Sequence, residues 1–285
     1  MTQRSATLLI SCPDQKGIVA EVAVFVRDHG GNILDADQHS DAQAGTFFMR
    51  LMFDLKDFDV AADKIHAATV AALARFTPTV HVHFSQVKKR VALLVSKQDH
   101  CFYDLLLRHR AGELNCDIPL IISNHPDLKD PAAHFGIPYV HLPVTADTKV
   151  QQEARVVEEL TKAQIDLIVL ARYMQILSAN FTARYPSRII NIHHSFLPAF
   201  VGANPYRQAF DRGVKLIGAT SHYVTEVLDD GPIIEQSVER VSHRDSVEDL
   251  VRRGRDLERV VLGRAVRLHL EDRVLVSGRK TVVFE

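Results

Sequence analysis

Three side chains with complementary chemistry lie in two short segments of the 285-residue sequence. Asn191 and His193 stand two positions apart at the end of an apolar run, and Asp229 stands two positions before a Gly-Pro pair. An imidazole transfers protons near neutral pH, and a carboxylate can hold that imidazole or a water molecule in place. A carboxamide can donate to a developing oxyanion. These residue types therefore suit a reaction that moves a proton and stabilises negative charge on oxygen.

The elements around these residues have to bring them together. Side chains alternate along a strand, so Asn191 and His193 are expected to point to one face. They stand at the carboxyl end of a predicted strand, where α/β folds bind ligands. The separation of 229 − 191 = 38 residues leaves room for a helix, a strand and a loop that folds Asp229 back. A histidine at a strand end is often structural and an Asp-Gly-Pro segment is often a turn, so these residues alone leave both interpretations open.

Residues 87–285 are predicted to form a doubly wound, mostly parallel α/β domain, because strand-like apolar runs alternate with helical periodicity. The predicted strands cover residues 91–95, 118–122, 138–141, 167–170, 188–192, 216–223 and 233–238, and the predicted helices cover residues 101–109, 151–164 and 246–271. Ser246 and Asp249 are spaced as a capping box, which predicts where the last helix begins.

Residues 1–86 are predicted to form a separate, ferredoxin-like domain. The predicted strands cover residues 7–12, 33–38, 46–53 and 78–84, and the predicted helices cover residues 18–29 and 60–76. This βαββαβ order is typical of a two-layer α+β sandwich. The segment Gln86–Arg90 contains neither glycine nor proline. We therefore expect a close connection between the domains rather than a flexible linker.

Composition and charge limit the classes of function. The sequence has 34 Lys+Arg and 35 Asp+Glu, a net charge of −1, which argues against nucleic-acid or anionic-membrane partners. The 3 cysteines form no CxxC pair and no window is apolar enough for a membrane helix, so we expect a cytoplasmic protein. The 15 histidines include no HExxH motif and no paired Cys/His spacing. His193, His194, His222 and Asp229 could in principle ligate zinc, although we predict no metal.

The two segments resemble the signatures of formyl-transfer enzymes that use 10-formyltetrahydrofolate. The matching positions are Asn191-Ile192-His193, Ser195 and Leu197-Pro198 in the first segment, and Leu228-Asp229 and Gly231-Pro232 in the second. The stretches NIHHSFLPAFVGANPY at 191–206 and VSHRD at 241–245 are similar to the hydrolytic branch, the formyltetrahydrofolate deformylases. The resemblance covers the whole chain, because those deformylases also carry an N-terminal ACT domain of βαββαβ order.

The resemblance implies roles for particular residues. Asn191, His193 and Asp229 would be the catalytic trio, and the backbone after the fourth strand of the second domain would build part of a pterin pocket. The substrate-binding residues that it implies are Arg172, Met174, Gln175, Ile176, Leu177, His194 and Ser195. It also implies a folate as the small-molecule substrate, no cofactor and no metal.

The acceptor of the formyl group decides between a hydrolase and a transferase. A phosphate-bearing amine would favour a glycine-rich loop and a helix N-terminus after the first strand of the second domain. Residues 96–101 contain no glycine, and Asp99 would repel a phosphate, although Lys97 could attract one. We therefore predict hydrolysis of 10-formyltetrahydrofolate to formate and tetrahydrofolate, which would balance one-carbon folates and supply formate for purine synthesis. The alternatives are formyl transfer to an amine and a non-catalytic folate or amino-acid sensor.

The resemblance of residues 1–86 to ACT domains implies an amino-acid effector and self-association into a homo-oligomer. The turn with Asp14 and Gly17 opens a helix whose N–H groups could take a carboxylate, and Asn32 and Ile33 are expected to lie opposite. Folding alone also explains the glycines at both places, so the effector site is a hypothesis.

Overall fold

The structure, a computed structural model, describes residues 4–199 and 204–285, which fall into two units. The first unit comprises the chain up to Lys88 with residues 272–275 and 282–285, and the second comprises residues 89–271 and 276–281. The boundary predicted after residue 86 assigns the whole C-terminal end to the second domain. In the structure, residues 272–275 and 282–285 belong to the first unit and residues 276–281 to the second. This division depends on packing between residues far apart in sequence, which local sequence patterns do not encode.

The first unit has the βαββαβ order expected from the sequence. Its elements are β1 (Ser5–Pro13), α1 (Ile18–Asp28), β2 (Ile33–Asp41), β3 (Thr46–Asp54), α2 (Ile65–Ala72) and β4 (Thr79–Phe84). The strands form an antiparallel sheet in the order β2-β3-β1-β4. Apolar side chains of the strands and helices, among them Leu8, Val22 and Phe25, pack into one core.

Only part of the helix predicted over residues 60–76 is α-helical. Helix α2 is flanked by 3-10 turns at Ala62–Lys64 and Ala74–Phe76. Leu73 and Phe76 are 1% and 2% exposed. Side chains three positions apart line up in a 3-10 turn, and this spacing lets both residues face the core.

The second unit is built on a seven-stranded sheet. Its strands are β5 (Lys89–Val95), β6 (Cys116–Ser123), β7 (Tyr139–His141), β8 (Leu167–Ala171), β9 (Ile189–His193), β10 (Leu216–Tyr223) and β11 (Ile233–Arg240). The order across the sheet is β11-β10-β9-β8-β5-β6-β7. Strands β5 to β9 are parallel to one another, and β10 is antiparallel to both of its neighbours, β9 and β11. The carboxyl ends of the parallel strands meet at one edge, where ligands bind in such folds. This arrangement confirms the predicted doubly wound sheet.

Helices connect and cover these strands. They are α3 (His100–Arg110), α4 (Lys129–His134), α5 (Lys149–Lys162), α6 (Ala179–Thr182), α7 (Pro205–Arg212) and α8 (Val247–Leu270). Helix α8 begins with the predicted capping box, in which Ser246 and Asp249 each accept the other's backbone N–H with a side-chain oxygen. Helices α4, α6 and α7 and the hairpin of β12 (Val274–Ser277) and β13 (Lys280–Val283) are too short to stand out in the hydrophobic periodicity. No described helix is both long and apolar enough to cross a membrane.

Candidate active site

Strand β9 and its antiparallel neighbour β10 position three polar side chains. Asn191 and His193 share one face of β9 because side chains alternate along a strand, and Asn191 is paired with His222 on β10. The amide Nδ2 of Asn191 lies 3.3 Å from Nε2 of His222. Nδ1 of His222 donates to the carbonyl of Tyr223 at 2.9 Å. A neutral His222 therefore offers Nε2 as an acceptor to the Asn191 amide.

The loop after β10 folds back and carries Asp229 to the same place. Asp229 has a left-handed φ of 53°, a conformation that aspartate adopts more readily than most residues. A Cβ at Gly231 would lie 1.7 Å from the carbonyl oxygen of Tyr223, so this close approach requires glycine. The backbone N–H of Tyr223 donates to the carbonyl of Pro232 at 2.9 Å and closes the loop. The segment Asp229–Pro232 is thus a turn that also delivers the carboxylate of Asp229.

Asp229 contacts both histidines. Its Oδ2 lies 3.2 Å from Nδ1 of His193, its Oδ1 lies 3.7 Å from Nε2 of His222, and none of the three side chains is more than 7% exposed. Burial acts to raise the pKa of Asp229, but its hydrogen bond with His193 outweighs burial and holds that pKa below its usual range. Asp229 is therefore ionised at neutral pH and accepts the Nδ1 hydrogen of His193.

The other ring nitrogen of His193, Nε2, is buried and makes no hydrogen bond with any described residue. Because Nδ1 donates to Asp229, Nε2 of the neutral ring carries the lone pair. A proton acceptor at Nε2, with the Asn191 amide on the same strand face, is suited to proton transfer coupled to oxyanion stabilisation. The structure thus brings together the three side chains that the sequence singles out.

The next two residues, His194 and Ser195, differ in their surroundings. The ring centroid of His194 lies 5.3 Å from that of His193 and 5.8 Å from that of Tyr206. Burial lowers the pKa of His194 to about 3, so its ring is neutral at physiological pH. The hydroxyl of Ser195 donates to the carbonyl of Ala199 at 2.6 Å. Ser195, expected to bind substrate, therefore uses its side chain to close a turn.

The predicted pterin loop follows β8 on an irregular path. Arg172 and Met174 have left-handed φ values of 64° and 59°. The side chains of Met174 and Ile176 are 59% and 58% exposed and are free to cover a ligand, and Gln175 lines a polar cavity of about 310 Å³. The side chain of Leu177 packs in the core of the second unit, which leaves its backbone for a ligand, the part of this loop that was expected to build the pocket.

The four residues expected to bind an effector do not converge within one chain. Asp14–Gly17 follows the end of β1, whereas Ile33 at the start of β2 is paired with Phe53. Phe53 is in turn paired with Ala6, near the beginning of β1. The pair Asn32–Ile33 is therefore at the other end of the sheet, roughly 25 Å away at about 3.3 Å per residue. The expectation that these pairs face each other does not hold within a single chain, because β2 and β1 run in the same direction.

One buried group in the described part of the chain has the side chains of a metal site. His100, Cys101 and Glu258 place potential ligand atoms within 4.8 Å of one another. The guanidinium Nε of Arg172 lies 3.5 Å from the Glu258 carboxylate, so a fixed cation already accompanies this carboxylate. Burial raises the pKa of the thiols of Cys12 and Cys101, which disfavours them as nucleophiles.

Two further stretches carry the similarity to the hydrolytic branch. Of the first, residues 200–203 lie outside the described residues. In the second, Val241–Asp245, the Asp245 carboxylate accepts hydrogen bonds from Ser242 and pairs with Arg253. This second stretch therefore shapes the loop that leads into α8.

The buried carboxylate of Glu258 and its partners His100 and Tyr206 are not among the residues predicted from the sequence. Glu258 follows Gly254 by four residues and precedes Leu262 by four, so it stands on the buried stripe of α8. A charged residue on the apolar stripe of an amphipathic helix is unusual. That position in the periodic pattern was the one available signal.

The chain matches two protein-family descriptions, formyl transferase over residues 89–266 and ACT domain over residues 6–69. It is 56% identical to the formyltetrahydrofolate deformylase of Synechocystis sp., over 100% of both chains. A crystal structure of a formyltetrahydrofolate deformylase from Pseudomonas syringae has a TM-score of 0.97 and 50% identity, covering 100% of this chain and 96% of that chain. The glycinamide ribonucleotide transformylase 1 of Symbiobacterium toebii has a TM-score of 0.67 and 32% identity, covering 71% of this chain and 97% of that chain.

Proposed function

We infer that the chain, which belongs to the formyl transferase family and within it to the formyltetrahydrofolate deformylases, hydrolyses 10-formyltetrahydrofolate to formate and tetrahydrofolate. The observation that carries this function is the agreement with deformylases over the whole chain, at 56% and 50% identity. Formyl transfer to an amine is not favoured, because the similar transformylase covers only 71% of this chain at 32% identity. Formate release from a folate fits one-carbon metabolism and purine synthesis.

His193 and Asp229 activate the water molecule in this proposal. Asp229 holds the imidazole through Nδ1, which leaves the Nε2 lone pair for a proton. As Nε2 takes a proton from water, the water oxygen bonds to the formyl carbon and the carbonyl electron pair moves onto the formyl oxygen. The Asp229 carboxylate stabilises the imidazolium that forms, and loss of such acid–base catalysis costs about 10²–10⁴ in rate.

Asn191 stabilises the oxyanion of the tetrahedral intermediate. One hydrogen of its amide is directed to His222, which is itself held by the Tyr223 carbonyl, so the second hydrogen is left for the oxyanion. The protonated Nε2 of His193 is the other donor. The intermediate collapses when His193 gives its proton to the folate nitrogen and the carbon–nitrogen bond breaks. Formic acid then loses its proton to give formate.

The loop after β8 supplies the folate-binding surface in this proposal. Exposed Met174 and Ile176 support contact with the flat pterin ring, and Gln175 borders the polar cavity. The neutral ring of His194 lies beside His193 and can bind substrate without adding charge. The reaction as derived needs no cofactor and no metal, because His193 activates the water.

The first unit is proposed to regulate the enzyme and to mediate self-association. Its match to ACT domains supports an amino-acid effector. Because Asp14–Gly17 and Asn32–Ile33 lie at opposite ends of one sheet, a site that uses both pairs needs a second copy of the chain to supply one of them. A cytoplasmic location stays a prediction from the sequence.

The test of the proposed function is incubation with 10-formyltetrahydrofolate alone. We expect formate and tetrahydrofolate to appear together without any amine present. His193→Ala should abolish this release, whereas His134→Ala, a change on an exposed histidine of α4, should leave it unchanged. Formate release that requires an added amine, or none with the wild type, would contradict hydrolysis.

A further inference from the structure

A buried group of side chains centred on Glu258 has no part in the reaction derived above. Glu258 lies in the middle of α8 and is 1% exposed. Its Oε2 lies 2.8 Å from Nε2 of His100, and its Oε1 accepts a 2.8 Å hydrogen bond from the hydroxyl of Tyr206. Nε of Arg172 lies 3.5 Å from Oε2. The side chains of His100 and Arg172 are 8% and 7% exposed, so these four residues, the Glu258 cluster, are shielded from water.

Glu258 is ionised in this setting. Burial acts to raise its pKa, but the hydrogen bond from His100 and the charge of Arg172 outweigh burial and hold the pKa below its usual range. Burial and the neighbouring carboxylate raise the pKa of Tyr206, so its hydroxyl stays a donor. The cluster therefore holds an ionised carboxylate whose charge is balanced by the guanidinium of Arg172.

The Glu258 cluster lies along the same sheet edge as the reacting residues. His100 begins α3 after β5, Arg172 directly follows β8, and His193 ends β9, and these three strands are neighbours in the parallel part of the sheet. The ring of His194 is close to both groups, because its centroid lies 5.3 Å from that of His193 and 5.8 Å from that of Tyr206. The cluster thus borders the reacting residues on the side of β5.

Stability alone does not account for this cluster. Replacing a buried ion pair by apolar residues of similar volume is often neutral or stabilising. The surface of α8 is nevertheless shaped around the contact, because a Cβ at Gly254 would lie 2.0 Å from the hydroxyl oxygen of Tyr206. Any larger residue at position 254 would push Tyr206 away from Glu258.

We propose that Glu258 is a specificity-determining residue. It fills the part of the site next to β5, together with His100, Tyr206 and Arg172, and so keeps amine acceptors away from the formyl carbon. A water molecule is small enough to reach the formyl carbon even though the Glu258 cluster fills the space that an amine acceptor would need. The proposal rests on the hydrolytic function inferred above and assigns the residues that enforce it.

Charge and shape both oppose an amine acceptor at this edge. A phosphate-bearing amine that approached the start of α3 would meet the negative charge of Asp99, and it would find Arg172 buried and already paired with Glu258. The adjoining cavity of about 290 Å³, beside His194 and Tyr206, is lined mainly by apolar side chains and has no charged residue among its described lining. The cation of the cluster, Arg172, is thus already paired with Glu258, and the described lining of the cavity has no charged side chain that could pair with a phosphate.

The test measures how the formyl group divides between water and an amine. The enzyme is incubated with 10-formyltetrahydrofolate labelled at the formyl carbon, together with O-phosphoethanolamine or glycinamide, and NMR separates formate from the N-formyl amine. In the side reaction the amine nitrogen bonds to the formyl carbon, the bond to the folate nitrogen breaks, and that nitrogen takes the amine's proton. In the double variant, His100→Ala opens space and Glu258→Gln removes the charge at nearly constant size.

A matched control variant is available on α3, the helix that carries His100. His109→Ala removes a histidine near the end of α3, where its Nε2 lies 3.0 Å from the carbonyl of Cys116. We expect the wild type and His109→Ala to give formate only. The double variant should raise the ratio of N-formyl amine to formate at least about tenfold, more with the phosphate-bearing amine than with glycinamide.

A folded double variant that still gives formate only would overturn the proposal, as would N-formyl amine from the wild type. If the double variant does not fold, Tyr206→Phe decides in the same assay, because it removes a single hydroxyl from the cluster. A raised ratio then supports the proposal and an unchanged ratio overturns it. Wild-type enzyme that releases no formate from the substrate alone would contradict the hydrolytic function instead.

Discussion

Replacing Asp229 by asparagine keeps the size of the side chain and removes the charge that faces His193. Oδ2 of Asp229 lies 3.2 Å from Nδ1 of His193, and both side chains are at most 7% exposed. With an effective dielectric constant of about 20, a unit charge at this distance stabilises an imidazolium by about 5 kcal/mol. Since about 1.4 kcal/mol changes a rate tenfold, the upper bound on the loss is nearly 10⁴. We expect kcat to fall by about 10³, within the range for acid–base catalysis.

The assay is steady-state formate release, with tetrahydrofolate measured in the same samples. Because the charge acts on an imidazolium that forms only during the reaction, kcat and kcat/KM should fall by the same factor. Asp230→Asn is the matched control, since Asp230 pairs with Arg279 instead of His193. An Asp229→Asn enzyme with kcat within about tenfold of the wild type would refute the assigned role.

Three other outcomes follow from the same geometry. Asn191→Ala should lower kcat by about 10²–10³ with the fold intact by circular dichroism, as for loss of one oxyanion donor; a smaller loss would remove Asn191 from the oxyanion site. The folded-state pKa of Glu258 lies below its usual range, so this group contributes stability above its unfolded-state pKa and loses it as the pH falls through the folded-state value. As the pH falls below about 4, the free energy of unfolding of Glu258→Gln should therefore decrease less steeply than that of the wild type. Equal acid-unfolding curves would contradict this. Dialysis against a chelator should leave formate release unchanged, because the derived reaction uses no metal; activity that is lost and then restored by a divalent cation would contradict it.

Much of the fold is predictable because its signals are local. The continuous apolar run Leu167–Leu170 indicates a central parallel strand, and this segment is β8 at the middle of the sheet. The Ser246–Asp249 spacing identifies the start of α8 through a cap that the structure contains. The shared face of Asn191 and His193 follows from strand alternation alone.

The parts that escape prediction depend on contacts between distant residues. The approach of Asp229 to His193 needs a loop in which Gly231 packs against the Tyr223 carbonyl, a tertiary contact that no local pattern contains. Leu177 looks like any other apolar residue of its loop, yet its side chain belongs to the core.

The partners of Glu258 are also not predictable from the chain. Its contact with His100 spans 158 residues, so neither residue suggests the other. The division of the C-terminal hairpin between the two units has the same origin, because it is set by packing against strands that are far away in sequence.

The central claim is that Asn191, His193 and Asp229 deliver a formyl group to water. A single turnover in water enriched in oxygen-18, followed by mass spectrometry of the formate, tests it most directly. We expect formate that carries one oxygen from the solvent and one from the substrate, and none of this product from His193→Ala. Formate without solvent oxygen would show that water is not the acceptor, and an equal yield from His193→Ala would show that His193 does not activate it.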